Sequence, residues 1–126
     1  MLEQQKRAAR PASDLAALYA SFARQRHAKK ELLVLDTGAA APSPFFAALD
    51  DARVRYVHEP DLVTGDDGDA EKVGIKRNRL CALARGDAMA CFDDDNVYGP
   101  DYLRVMLAHL RHSAIFRRDR QVDLYL

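Results

Sequence analysis

The chain has no tryptophan and only two cysteines, Cys81 and Cys91. Two thiols cannot build a disulfide framework or a four-thiolate zinc site, so a reducing compartment, the cytoplasm, is the expected setting. No apolar run approaches the ~18 residues that point to a membrane span. The opening MLEQQKRAARPA carries bases but lacks the apolar core of a secretory signal. Net charge is missing as well: 19 basic side chains balance 19 acidic ones, which leaves no global field to draw in nucleic acid. What is present, 48% hydrophobic and 30% charged residues over 126 positions, suits one soluble domain and is too apolar for disorder.

Turn signals separate strand-like from helix-like runs, an alternation that predicts an α/β fold. Ser13 is a candidate N-cap for a helix whose stripe is Leu15, Leu18, Tyr19 and Phe22. ELLVLD, residues 31–36, reads as a strand buried on both faces and closed by Thr37-Gly38. A short helix is expected within 42–52, where prolines precede Phe45, Phe46 and Leu49. RVRYVHEP sets Val54, Tyr56 and His58 against Arg53, Arg55 and Val57, a second strand that Pro60 stops. The acid-rich stretch 61–71, with two glycines and no base, predicts a mobile loop.

KVGIKRNRLCALARG, residues 72–86, predicts a basic helix with Val73, Leu80, Leu83 and Ala84 toward a core and Gly86 as its stop. DAMACF is a third apolar strand, and it runs straight into Asp93, Asp94, Asp95 and Asn96. From Pro100 a further helix is marked by Leu103, Met106, Leu107 and Leu110. In the tail, Val122, Leu124 and Leu126 alternate with polar residues, as in a truncated strand. The expected organisation is a basic extension over 1–12, a folded unit over 13–113 and a tail over 114–126.

Three consecutive carboxylates at the end of a buried strand repel one another and call for a cation. Mg²⁺ or Mn²⁺ takes such oxygens together with substrate phosphates, and the carboxyl ends of strands are where open α/β sheets bind ligands. An acidic turn capping the next helix would use the same residues for a purely structural end. On the basic helix, Lys72, Lys76 and Arg79 share one side, while Arg77 and Asn78 occupy another. A cation there can turn toward a phosphate, or the whole face can simply be solvated beside the acidic loop. His27, His58, His109 and His112 have no ligand spacing, Cys81 and Cys91 read as core thiols, and TGDDGDAE lacks the register of a calcium loop. The string LDTGA around Asp36 resembles the catalytic loop of retroviral-type aspartic proteases, which would require a homodimer, but helical stripes at 15–22 and 103–110 oppose that nearly all-β fold.

Taken in order, ELLVLDTG, VRYVHEP and VGIKRNRLCALARGDAMACFDDDNVYGPDYL resemble the nucleotide-binding half of the family-2 glycosyltransferases. The resemblance implies a three-layer α/β/α half-domain of the GT-A type with a mainly parallel, Rossmann-like sheet. It implies a nucleotide-diphosphate sugar as donor and inverting transfer to an acceptor hydroxyl, the acceptor being left open. Asp93 to Asp95 correspond to the D-x-D motif: Asp95, with Asp93, would hold Mn²⁺ or Mg²⁺, and Asp93 or Asp94 would approach the ribose. Asp36 would contact the base and Arg77 would match a cation near the nucleotide. No general base is assigned. Thr37 stands where the family usually has a second acid, and the family's first strand has no counterpart before Ser13. The chain therefore reads as a fragment, a shortened gene model or a degenerate copy. An unpaired sheet edge would offer a route to self-association. A non-catalytic module keeping this fold is the alternative.

Overall fold

The computed structural model describes residues 12–93, 96–111 and 122–125. Four helices and four strands alternate: α1 (Ala12–Ala23), β1 (Lys30–Asp36), α2 (Pro44–Ala48), β2 (Val54–His58), α3 (Asp69–Leu83), β3 (Ala88–Cys91), α4 (Tyr102–Arg111) and β4 (Val122–Tyr125). The strands form one parallel sheet in the order β2-β1-β4-β3. The tail thus enters the sheet between β1 and β3, and the outer strands are β2 and β3. Among the described residues no helix is long and apolar enough to cross a membrane.

β1 shows why the sheet has helices on both sides. Its side chains alternate, so Leu32 and Val34 pack with Leu15, Leu18 and Phe22 of α1, Phe46 of α2 and Leu103 and Leu107 of α4. Leu33 and Leu35 point the other way, onto Leu80 of α3. This is the three-layer α/β/α arrangement that the sequence implied, with the continuous apolar run of β1 buried on both faces.

Polar anchors join the layers. Lys30 is buried at the start of β1, and its Nζ donates to the carbonyls of Phe22 (2.8 Å), Ala23 (3.2 Å) and Gln25 (2.7 Å). It so satisfies the orphan acceptors at the end of α1. Gln25 donates to the Gly99 carbonyl at 2.7 Å and accepts from Leu103 N at 3.1 Å, which fastens α1 to the start of α4. Asp51 accepts from Tyr19 Oη at 2.8 Å and takes two bonds from the Arg53 guanidinium. That guanidinium holds the Asp51 carboxyl well below the usual carboxylate range.

Several boundaries differ from the sequence expectation. α3 begins at Asp69, so the loop expected over 61–71 yields its last three residues to the helix. Glu71 accepts from Gly68 N at 3.4 Å, and acids in a first turn are favoured by the helix dipole. The helix stops at Leu83 rather than at Gly86, because Ala84 is already extended. Val73 is exposed instead of core-facing, and Cys81 is exposed rather than a core thiol. The inward side of this helix is Leu80 and Leu83, with Ala84 just beyond, and Cys81 is rotated ~100° away from Leu80. α2 covers five residues only: Ser43 caps it by accepting from Phe46 N, and Leu49 leaves it in extended conformation.

Candidate functional site

Asp36 ends β1, and Asp93 lies two residues beyond β3. Leu33 and Cys91 both pair with Tyr125, so they stand at one level on either side of β4. Counting forward from that level brings Asp36 and Asp93 to within one residue of the same height, on the carboxyl edge of the sheet. Two strand spacings separate their strands, roughly 10 Å. That gap at the strand ends is where an open parallel sheet offers a ligand site.

The turn after β1 is clasped from its neighbour. Tyr56 Oη donates to Asp36 Oδ2 at 2.5 Å and itself accepts from Ser43 N at 2.9 Å. Gly38 N donates to Asp36 Oδ1 at 2.8 Å, and His58 Nε2 lies 2.9 Å from the Gly38 carbonyl. The register Val34↔Tyr56 and Asp36↔His58 accounts for both contacts, since it sets the polar ends of β2 beside the Asp-Thr-Gly turn. Tyr56 also stacks on Phe46 with ring centroids 5.1 Å apart. Burial, and then the Asp36 carboxylate, raise the Tyr56 pKa, so the phenol keeps its proton and remains a donor. Of roughly four acceptor positions on the Asp36 carboxylate, these bonds use two.

The turn after β3 is held by rings. Phe92 stacks on Tyr98 at 4.3 Å, and Tyr98 meets Tyr102 at 4.6 Å. Tyr102 Oη donates to the Cys91 carbonyl at 2.8 Å, while Asp93 N donates to Tyr98 Oη at 2.7 Å. These contacts fix the backbone of Asp93. Among the described residues, its exposed carboxylate accepts from Cys91 Sγ and Asn96 Nδ2, each at 3.4 Å. Asp94 and Asp95, the latter the principal metal ligand expected from the sequence, lie outside the described residues. Among the described residues no group of three or more His, Cys, Asp or Glu side chains is clustered as for a metal ion.

The basic face of α3 is divided. Arg79 is committed to Glu59, with its Nε 3.0 Å from both carboxylate oxygens and its Nη2 at 2.6 Å from one. Hydrogen bonding to that guanidinium lowers the Glu59 pKa. Glu59 N in turn donates to the Asp36 carbonyl at 2.9 Å, so the pair braces the end of β1. Arg77 is exposed and, two residues from Arg79, projects about 200° away around the helix. Tyr56, His58, Tyr98 and Glu59 are the site-shaping residues that sequence reasoning passed over. The alternation of β2 was the available signal for the first two.

Comparison with known proteins gives a consistent answer. The family described as "Glycosyl transferase family 2" matches residues 9–120. Over 106 residues the chain is 28% identical to the "Putative colanic acid biosynthesis glycosyl transferase WcaA" of Escherichia coli (strain K12). That stretch covers 79% of this chain and 35% of the relative, so the chain spans about a third of that protein's length. No solved structure matches. Nothing supports the aspartic-protease reading of Asp36: its aspartate closes a parallel strand in a layered α/β fold and is bonded to a tyrosine.

Proposed function

The chain belongs to glycosyl transferase family 2, and from that premise we propose that it carries the donor-binding part of a metal-dependent, inverting glycosyltransferase. The observation that carries this reading is the placement of Asp36 and Asp93 at one level of the carboxyl edge, on strands that flank β4. The donor is a nucleotide-diphosphate sugar. Its base lies against the Asp36 turn, where the carboxylate keeps two acceptor positions for ring or exocyclic N–H groups. Asp93 or Asp94 would approach the ribose, and Arg77 serves the phosphates as an exposed guanidinium donor.

The donor chemistry suits a hard divalent ion. Asp93 offers exposed carboxylate oxygens that, among the described residues, take one thiol contact and one long amide contact, on a backbone that the Tyr98 hydroxyl fixes. Asp93 and Asp95 would hold Mn²⁺ or Mg²⁺, which when bound neutralises the charge of the departing diphosphate. The acceptor hydroxyl and the group that deprotonates it are assigned to no residue of this chain. A reducing, cytoplasmic setting is part of the same proposal, in keeping with a chain that has two cysteines and no disulfide framework. Pairing of two copies along β2 or β3 would cover an outer edge.

Calorimetric titration of uridine diphosphate with and without Mn²⁺, on the parent chain and on Asp95→Ala, tests the reading. Binding that requires the metal and disappears in the variant is expected. A folded chain that binds neither uridine nor guanosine diphosphate sinks it. Metal-dependent binding without sugar transfer to any acceptor would reduce the chain to a donor-binding module.

A further inference from the structure

The bonds that hold the turn after β1 divide its work. Glu59 N donates to the Asp36 carbonyl at 2.9 Å, and His58 Nε2 meets the Gly38 carbonyl at 2.9 Å. These two fix the backbone. The Asp36 side chain is held separately, by Gly38 N on Oδ1 and by the Tyr56 hydroxyl on Oδ2. Loss of the phenol would therefore release the carboxylate and leave the turn in place.

The polarity of the phenol's bond is fixed as well. A peptide N–H can only donate, so Ser43 N supplies a proton to Tyr56 Oη, and the hydroxyl's own proton goes to Asp36. The ring has little freedom to turn away. Tyr56 pairs with Val34 and so shares a sheet face with Val34 and Asp36. It stacks on the buried Phe46 at an interplanar angle of 13°.

Asp36 accordingly meets a ligand as an acceptor of set direction, a condition that divides the nucleobases. Uracil and guanine carry a ring N–H on their pairing edge. Cytosine and adenine carry a lone pair at the matching ring nitrogen, which a carboxylate oxygen repels, and offer their amino group alone. A carboxylate free to turn follows that amino group, whereas a clasped one leaves it poorly met.

We infer, resting on the donor-binding reading that sets the base against Asp36, that Tyr56 is a positioning residue for base selection. Its hydroxyl aims the Asp36 carboxylate so that the base must present a ring N–H, as uracil and guanine do and cytosine and adenine do not.

Calorimetric titration of the full chain with Mn²⁺ tests this by comparing uridine with cytidine diphosphate and guanosine with adenosine diphosphate. The parent should bind the better of the uridine and guanosine forms at least about tenfold more tightly than its lone-pair counterpart. In Tyr56→Phe the preference should fall to about threefold or less, while inorganic pyrophosphate with Mn²⁺ binds as it does to the parent. Adding Tyr56→Phe to Asp36→Asn should change nucleotide affinity no further, since the phenol acts through the carboxylate. Circular dichroism confirms the fold of each variant. If Tyr56→Phe fails to fold, Gly38→Ala takes its place: a Cβ there would stand 3.1 Å from Asp36 Oδ1, turn the same carboxylate and narrow the preference likewise. The inference alone is overturned by a parent that binds its nucleotide but takes the lone-pair counterpart equally well, or by a folded variant that keeps the parent's preference. A pyrophosphate affinity that falls together with the nucleotide's, or equal losses with and without Asp36→Asn, would give the phenol a purely structural part and overturn it too. A folded parent chain that binds none of the four nucleotides overturns both readings, so the two failures are told apart.

Discussion

The turns that follow β1 and β3 each present an aspartate at the same edge of the sheet, but the protein fastens them in opposite ways. After β1 the carboxylate itself is held, by the Tyr56 hydroxyl at 2.5 Å and by Gly38 N at 2.8 Å. After β3 the backbone is held, by the Tyr98 hydroxyl on Asp93 N at 2.7 Å, and among the described residues the carboxylate meets contacts of 3.4 Å from a thiol and an amide. A carboxylate locked by neutral donors has a fixed direction and suits recognition of a planar ligand edge. One that is placed but left open suits an ion, which must take over its lone pairs.

The largest way to break this contrast is to exchange the acids for amides. Asp93→Asn should weaken Mn²⁺-dependent nucleotide binding by about tenfold or more, since even indirect support of a metal ligand is worth that much. Asp36→Asn should weaken nucleotide binding while leaving the Mn²⁺ concentration required unchanged; calorimetry reads both. Next in size are the phenols. Tyr56→Phe strands Ser43 N and removes a bond to a charged group, a loss of about 1–2 kcal/mol in urea unfolding. Tyr98→Phe should cost less, about 0.5–1 kcal/mol, because water can reach the exposed Asp93 amide in its place.

A pH titration sharpens the same point. The Tyr56 pKa is raised in the fold, so its contribution is complete below the usual phenol value near 10 and is lost as pH climbs through the raised one. Unfolding followed from pH 8 to 11 should show a larger loss in the parent than in Tyr56→Phe, in which Tyr19, its pKa raised by the bond to Asp51, still titrates. The smallest effect is expected from Gly38→Ala. A Cβ there would stand 3.1 Å from Asp36 Oδ1 and push the carboxylate off its rotamer, about 0.5–1.5 kcal/mol by the same unfolding assay.

The unbroken apolar run in ELLVLD was enough to read a strand covered on both sides, because burial of Leu32 and Val34 on one face and Leu33 and Leu35 on the other leaves no polar position between Glu31 and Asp36. The two strand-end aspartates were legible for the same reason: each ends an apolar run. Tyr56 and His58 were not, since their partners lie 20 residues away and depend on a register that only the β1–β2 pairing sets. Arg79 looked as free as Arg77 in the sequence, and only the fold brings Glu59 to it. The start of α3 at Asp69 was hidden by composition, because acids that discourage a core also stabilise a first helical turn.

The place of β4 shapes how the molecule must assemble. Lys30 pairs with Val122, about ninety residues further along, and Ala88 pairs with the same strand. Two halves of the sheet therefore meet only through the segment synthesised last among the described elements. Bringing its ends together costs loop-closure entropy before any contact repays it, the condition of a high-contact-order, slow-folding topology. Until residues 122–125 pair, β1 and β3 each present a bare parallel edge toward the place of β4, a route to pairing between chains during folding.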